Sequence, residues 1–377
     1  MDQTFRNKLL KVIRSGLEIS SAYAILSEDD IREIVRFGKK QSIFPIVLHG
    51  IERMGKYSLL VEEYKVDSIK NEYNYVQRKN TIEEITALCT KNEIPHILLK
   101  GAYLQCLYPN PSMRTSSDVD VLIKDEDLTR TVDLLVKECG YRVIKRTFHD
   151  MSLVNSRVHL EVHFNIKHGI PEIDGLLDKA WEYAYSISDD MRYHFTPEFQ
   201  IFHVLAHMRY HMIHGGIGMR PLFDLWLLIK NTSYERELLN QFLHDTGMML
   251  FFEKSISLVE AWMTNTPISS DITMFESYCL SGGVFGDSAH AVASQMRNKK
   301  RLRYLANRVF VSKEYLEALY PNLVNRPFLL GFYQARRWFR LMNKEERLRI
   351  KKEVNLSGVI DKKQVEEYDQ FLSSLGL

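Results

Sequence analysis

The stretch that decides the fold is Ile97-Leu98-Leu99-Lys100-Gly101-Ala102-Tyr103-Leu104-Gln105-Cys106-Leu107-Tyr108-Pro109, followed a few residues later by Asp118-Val119-Asp120-Val121-Leu122-Ile123. Ile97–Leu99 is a short apolar run and reads as a buried strand that ends at Lys100-Gly101. Ala102–Tyr108 reads as a short helix stopped by Pro109 and Pro111. A glycine at such a strand-to-helix turn lets backbone N–H groups approach a ligand, and a helix start favours negative charge.

In the second run, side chains alternate across a strand, so Asp118 and Asp120 share one face while Val119 and Val121 point to a core. Two carboxylates so placed repel unless a cation or a hydrogen-bond network lies between them. Hard divalent ions take oxygen ligands, and Mg²⁺ commonly combines one or two carboxylates with substrate phosphates. An isolated Asp-x-Asp also suits a solvated edge strand; the glycine turn before it and the strand after it favour a cation site. That later strand, Val158–Phe164, puts Val158, Leu160, Val162 and Phe164 on one face. His159, Glu161 and His163 line the other, which makes Glu161 the candidate third carboxylate. His-x-Glu-x-His on one strand face is also a transition-metal pattern. The aspartates favour a hard cation, with the histidines orienting Glu161 or touching substrate.

Leu99-Lys100-Gly101-Ala102, Leu107-Tyr108-Pro109, Arg114, Asp118–Ile123, Gly140-Tyr141 and Leu160-Glu161-Val162-His163 together resemble the bacterial "uncharacterised nucleotidyltransferase" family. That family sits within the DNA polymerase β-like superfamily. The resemblance is close over about residues 90–165 and looser through the C-terminal half. It implies that Asp118 and Asp120 ligate metal, that Glu161 is the third acid, and that Gly101 belongs to a triphosphate-cradling turn. It places Lys100 and Arg114 near phosphate or substrate. It also puts His207, Arg220 and Asp224 along the cleft; His163 is counted in the same substrate pocket from its place on the Glu161 strand face. One departure is Gly101-Ala102, where broader superfamily members carry Gly-Gly or Gly-Ser; the phosphate-holding serine is missing, and Lys100 compensates with charge.

With 377 residues the chain is long enough for two or three domains. A net charge of +2 does not point to a nucleic-acid partner. Cys89, Cys106, Cys139 and Cys279 form no C-x-x-C pair, which fits reduced thiols and a cytoplasmic protein. No run approaches the roughly 20 apolar residues of a membrane span.

Along the chain, residues 1–90 read as an N-terminal helical region. Ser27-Glu28-Asp29-Asp30 is an N-cap signature, Gln41–Gly50 a further helix, and Ser58–Asn92 one long helix with Leu60, Tyr64, Ile69, Tyr73, Val76, Ile82, Ile85 and Leu88 as its stripe. Residues 91–195 read as the nucleotidyltransferase core, a small mixed sheet with helices on one side. In it Asp125–Cys139 is a helix with Leu128, Val132, Leu135 and Val136 inward, and a hairpin turns at His149-Asp150. Residues 196–377 read as a C-terminal helical domain. There His203, His207, His211 and His214 stack on one helix face before Gly215-Gly216, which leaves a packing, acceptor-pocket or metal role open. Ser281–Asp287 reads as a glycine-rich turn. The basic runs Arg297–Arg308 and Arg336–Lys352, with Tyr304, Trp338 and Phe339, read as solvated helix faces with aromatics inward.

The fold class is therefore α+β. The expected activity is a metal-dependent transfer of an NMP group from an NTP, by default ATP with Mg²⁺ (or Mn²⁺), to an acceptor hydroxyl on a small molecule, peptide or protein, with release of pyrophosphate. The alternatives are a non-catalytic module of the same fold that acts with a partner protein, and an RNA-tailing enzyme. Replacing Asp120 by asparagine is expected to abolish turnover at equal or higher thermal stability, because it relieves carboxylate repulsion.

Overall fold

In the computed structural model the Asp-x-Asp run is the central strand of a seven-stranded mixed sheet. Residues 2–20, 24–55, 58–186, 190–284, 326–340 and 362–377 are described, with scattered single positions between 286 and 323. The strand order is β3 (Arg142–Arg146), β4 (Asp150–Val154), β5 (His159–His163), β2 (Asp118–Ile123), β1 (His96–Leu98), β7 (Arg192–Phe195), β6 (Ala184–Ser186). β2 runs parallel to β5 and antiparallel to β1, and β1 runs parallel to β7. Strands β6 and β7, which the sequence reading leaves unnamed, extend the sheet beyond β1.

One sheet face is covered by α5 (Lys65–Lys91) and α7 (Leu128–Glu138). Val119, Val121 and Ile123 of β2 and Leu160 and Val162 of β5 meet Ile82, Ile85, Leu128, Val132 and Leu135 there. Burying such a Val, Leu or Ile side chain stabilises by about 1.5–3 kcal/mol, so these residues fix which face of β2 carries the aspartates. Val136 is 42 % exposed, contrary to the sequence reading. At 3.6 residues per turn it lies about 80° round from Leu128 and falls off the buried stripe.

The opposite face contributes Ile97, Leu99 and Leu122 to a larger core. That core also takes in α1 (Gln3–Gly16), α2 (Glu28–Lys40), α3 (Phe44–Arg53), α9 (Pro197–His214), α10 (Met219–Asn231), α11 (Arg236–Asp245), α12 (Met249–Thr264) and α13 (Thr273–Ser281). Ser27 caps α2 in a reciprocal capping box with Asp30. α1 and α3 touch backbone to backbone: a Cβ on Gly16 would lie 1.9 Å from the Ile46 carbonyl oxygen. Arg14 donates to the Trp262 carbonyl at 2.7 Å, and Gln41 spans the Cys279 and Gly282 carbonyls and the Met219 N–H. The N-terminal helices thus pack into the same core as the C-terminal ones.

The single helix expected over 58–92 is instead α4 (Ser58–Glu62) and α5, broken at Glu63-Tyr64. Ile69, Tyr73 and Val76 are exposed in the first half of α5. Its second half is drawn in by Arg78, which is buried and donates to the carbonyls of Ser116 and Arg114. Gly283 and Gly286 exchange backbone hydrogen bonds in a turn, as the glycine-rich run suggests. Phe285, Asp287, the run Arg297–Arg308 with Tyr304, and 341–352 lie outside the described residues. Trp338, on the helix Leu330–Arg340, is 38 % exposed rather than turned inward. Among the described residues no helix is long and apolar enough to cross a membrane.

Candidate active site

Every residue that the sequence reading assigns to the site lines one cavity of about 310 Å³ between the sheet and α9 and α10. Its floor is acidic. The parallel register pairs Asp118 with His159 and Asp120 with Glu161, which puts the three carboxylates on one face of neighbouring strands. Glu161 comes within 4.8 Å of ligand atoms of both aspartates, in one cluster with Asp118 and His159 and in another with Asp120 and His163. His159 and His163 share no cluster, so the His-x-Glu-x-His pattern does not converge on one point. Three hard oxygen donors on a rigid sheet suit a divalent cation such as Mg²⁺ or Mn²⁺.

Asp120 is nearly inaccessible, at 3 % exposure, and its Oδ1 accepts from Lys100 Nζ at 2.9 Å and from His163 Nε2 at 2.9 Å. Burial alone would raise its pKa; Lys100 and His163 overcome that and hold the carboxyl far below the usual range. Burial lowers the pKa of the Lys100 ammonium, but Asp120 and Glu161 raise it further and prevail. For His163, burial and Lys100 push down while Asp120 and Glu161 push up, and the imidazole ends above its ordinary value. Asp120 is thus neutralised by its neighbours and not merely repelled by Asp118.

The turn beneath Lys100 is built by α6 (Lys100–Leu104), a helix of five residues. Lys100 itself has φ +45°, the left-handed region that L side chains seldom adopt. A Cβ on Gly101 would stand 2.8 Å from Arg114 Nη1 and 3.2 Å from Ser116 Oγ. Glycine suits this position because that guanidinium packs close against it. Arg114 lines the cavity without offering its fork to it. It is buried and clamped on Asp224 through Nε at 3.1 Å and Nη2 at 2.8 Å, while Tyr108 donates to the same carboxylate at 2.7 Å. Arg220 donates to the Thr115 carbonyl at 3.0 Å; burial and then Arg114 lower its pKa to about 10, so it stays charged at neutral pH.

The wall facing the acids is made of imidazoles. His203, His207 and His211 of α9 line it with His168 and Tyr210. Burial above all, with the nearby Lys100 charge and neighbouring imidazoles, lowers His168 and His203 to about 3, His211 to about 4, and His207 well below its ordinary value. All four are neutral at pH 7. His207 and His211 approach nitrogen to nitrogen at 3.0 Å. Among the described residues, no cluster of three metal-capable side chains draws on α9. His214 shares the face, but it sits about 16 Å along the axis from His203 and is exposed, past the end of the cavity.

Several lining residues escape the sequence reading. Ser116 lies two residues before Asp118 and donates to its Oδ1 at 2.7 Å. Strand alternation carried backwards from Asp118 points to it. His149 pairs with buried Asp150 at 2.8 Å and stacks near His163 at 5.5 Å between centroids. His168 and Lys167 arrive by a loop, and no local pattern announces them.

The family model described as "Uncharacterised nucleotidyltransferase" matches residues 27–264, a span that contains the acidic floor, the glycine turn and the imidazole wall. No curated protein matches the chain.

Proposed function

This chain belongs to the uncharacterised nucleotidyltransferase family, and from that premise we propose that it transfers the NMP group of ATP, or another NTP, to an acceptor hydroxyl and releases pyrophosphate. Asp118, Asp120 and Glu161 hold the divalent cation that accompanies the triphosphate. Such an ion, when bound, shields phosphate charge and acidifies an attacking hydroxyl. Glu161 is the most accessible of the pair it forms with Asp120, with a side chain 25 % exposed against 5 %, and it takes the proton of the acceptor. His163 keeps Asp120 ionised and oriented. Lys100 donates to the departing pyrophosphate, and the Gly101 turn with Ser116 brings donors to the same phosphates. Arg114 braces that turn from beneath and leaves the phosphates to Lys100, because its fork and its charge are already committed to Asp224.

The neutral imidazoles of His168, His203 and His207, with Arg220 at the edge, form the acceptor side. A neutral imidazole offers both a donor and an acceptor nitrogen, which matches a hydroxyl without repelling the Lys100 ammonium. The four cysteines are free thiols, which supports action in the reducing cytoplasm of a bacterial cell.

The observation that carries this reading is the convergence of Asp120 and Glu161, paired in register on parallel strands, with Asp118 within reach of Glu161 and a lysine over the group. Incubation with α-³²P-labelled NTPs and a cell extract, with Mg²⁺ and again with excess EDTA, tests it. Label should enter an acceptor only when Mg²⁺ is present. Labelling that is equal in EDTA, or absent with every NTP, would sink it.

A further inference from the structure

Asp120 Oδ1 already accepts two donors at 2.9 Å, Lys100 Nζ and His163 Nε2. A carboxylate oxygen has room for about two such partners, so a cation seeking that oxygen must displace one of them. His163 is held fast, with a side chain only 4 % exposed, whereas the Lys100 side chain is 23 % exposed at the cavity wall. Lys100 is also the residue in left-handed backbone. The ladder imposes that conformation: Leu99, just before it, donates its N–H to the Asp120 carbonyl at 3.0 Å, and Gly101, just after it, is packed under Arg114. Strain of this kind persists only where the surroundings over-determine it. Here they aim a long, rotatable cationic side chain at the carboxylate that a metal would use.

We propose that Lys100 is a stand-in cation, one that neutralises Asp120 in the substrate-free protein and releases it to a divalent ion only when a triphosphate takes up the ammonium. The inference rests on the nucleotidyltransferase reading and adds an order to it. An ammonium beside Asp120 repels a second cation within a few ångströms, so metal alone binds poorly. Once phosphate oxygens accept from Lys100, the Asp120 oxygen and its charge are freed, and metal and triphosphate each tighten the other by the same factor.

The test is Mn²⁺ titration followed by electron paramagnetic resonance of the free ion. It uses the full chain with and without an ATP analogue bearing a methylene bridge between the α and β phosphorus atoms, after subtraction of the analogue's own Mn²⁺ binding. The wild-type protein should bind Mn²⁺ weakly alone and about tenfold or more tightly with the analogue. Lys100→Met should bind Mn²⁺ alone about tenfold more tightly than wild type and gain little from the analogue. Lys100→Asn removes the ammonium with a residue that tolerates positive φ, and it should behave like Lys100→Met should the latter fail to fold. Tighter Mn²⁺ binding by either folded variant supports the stand-in role. Variants that bind Mn²⁺ alone no better than wild type, while wild type responds to the analogue, overturn that role and leave the nucleotidyltransferase reading standing. No protein-bound Mn²⁺ in wild type, even with the analogue, overturns both.

Discussion

Replacing Asp120 by asparagine separates two views of the acidic floor. If Asp118 and Asp120 chiefly repel, the variant is as stable as wild type or more so; the contacts of Asp120 say otherwise. Its carboxylate is paired with an ammonium and an imidazole, both at 2.9 Å. At an effective dielectric of about 20, unit charges at that distance attract by about 6 kcal/mol, and the loss of one member of a buried pair costs about 3–5 kcal/mol. Asparagine still accepts from both neighbours and spares the desolvation of a carboxylate, and Lys100 keeps some access to water. A net loss of about 2–3 kcal/mol at pH 7 follows. For a chain of this length that corresponds to a midpoint about 3 °C lower. Because Asp120 is held below its unfolded pKa, this stabilisation is present above about pH 4 and fades as pH falls through the folded value. The gap between wild type and variant should therefore close in acid. Calorimetric melting at pH 7 and below pH 4, beside the labelled-NTP assay, reads both effects; turnover should fall by about a thousandfold or more. A variant that melts at or above the wild-type temperature at pH 7 would refute the pairing argument, and one with full turnover would remove Asp120 from the chemistry.

Two further perturbations probe the other walls. Gly101→Ala should cost about 1–3 kcal/mol and raise KM for the NTP, because the new methyl meets a guanidinium that Asp224 holds in place; an unchanged melt and KM would show that the turn has room to spare. Lowering the pH from 6.5 to 5.5 should destabilise the protein, since the buried imidazoles near pKa 3–4 refuse protons that the unfolded chain accepts at about 6.5. His203 alone accounts for about 1 kcal/mol of that loss, His163 opposes it because its pKa is raised, and His203→Gln should flatten the melting profile over the same window.

What the sequence disclosed depends on how local each signal is. The alternation in β2 and β5 is a two-residue pattern, and it specifies both the core face and the face that carries Asp118, Asp120 and Glu161. The capping box at Ser27 and the break at Gly215-Gly216 are equally local. The partners of Arg114 are not. Asp224 lies 110 residues away, and only the packing of α10 against the glycine turn shows that the arginine is a brace. The exposed stripe Ile69, Tyr73 and Val76 has the same helical period as the buried Ile82 and Ile85, so periodicity alone does not reveal which part of the helix is covered. Short strands such as β6 and β7, three and four residues long, offer too few alternations to read, and the pairing of β7 with β1 and of β6 with β7 is a property of the assembled sheet.

Strand β7 ends at Phe195, and Pro197 opens α9 immediately afterwards, so the imidazole helix is launched from a strand of the same sheet that bears the acids. Between the two walls lie only the ladders β2–β1 and β1–β7. The acids and the imidazole helix are therefore tied to one backbone framework, through hydrogen bonds that side-chain changes hardly alter. A change at one imidazole of α9 would thus leave the acid floor where the sheet holds it.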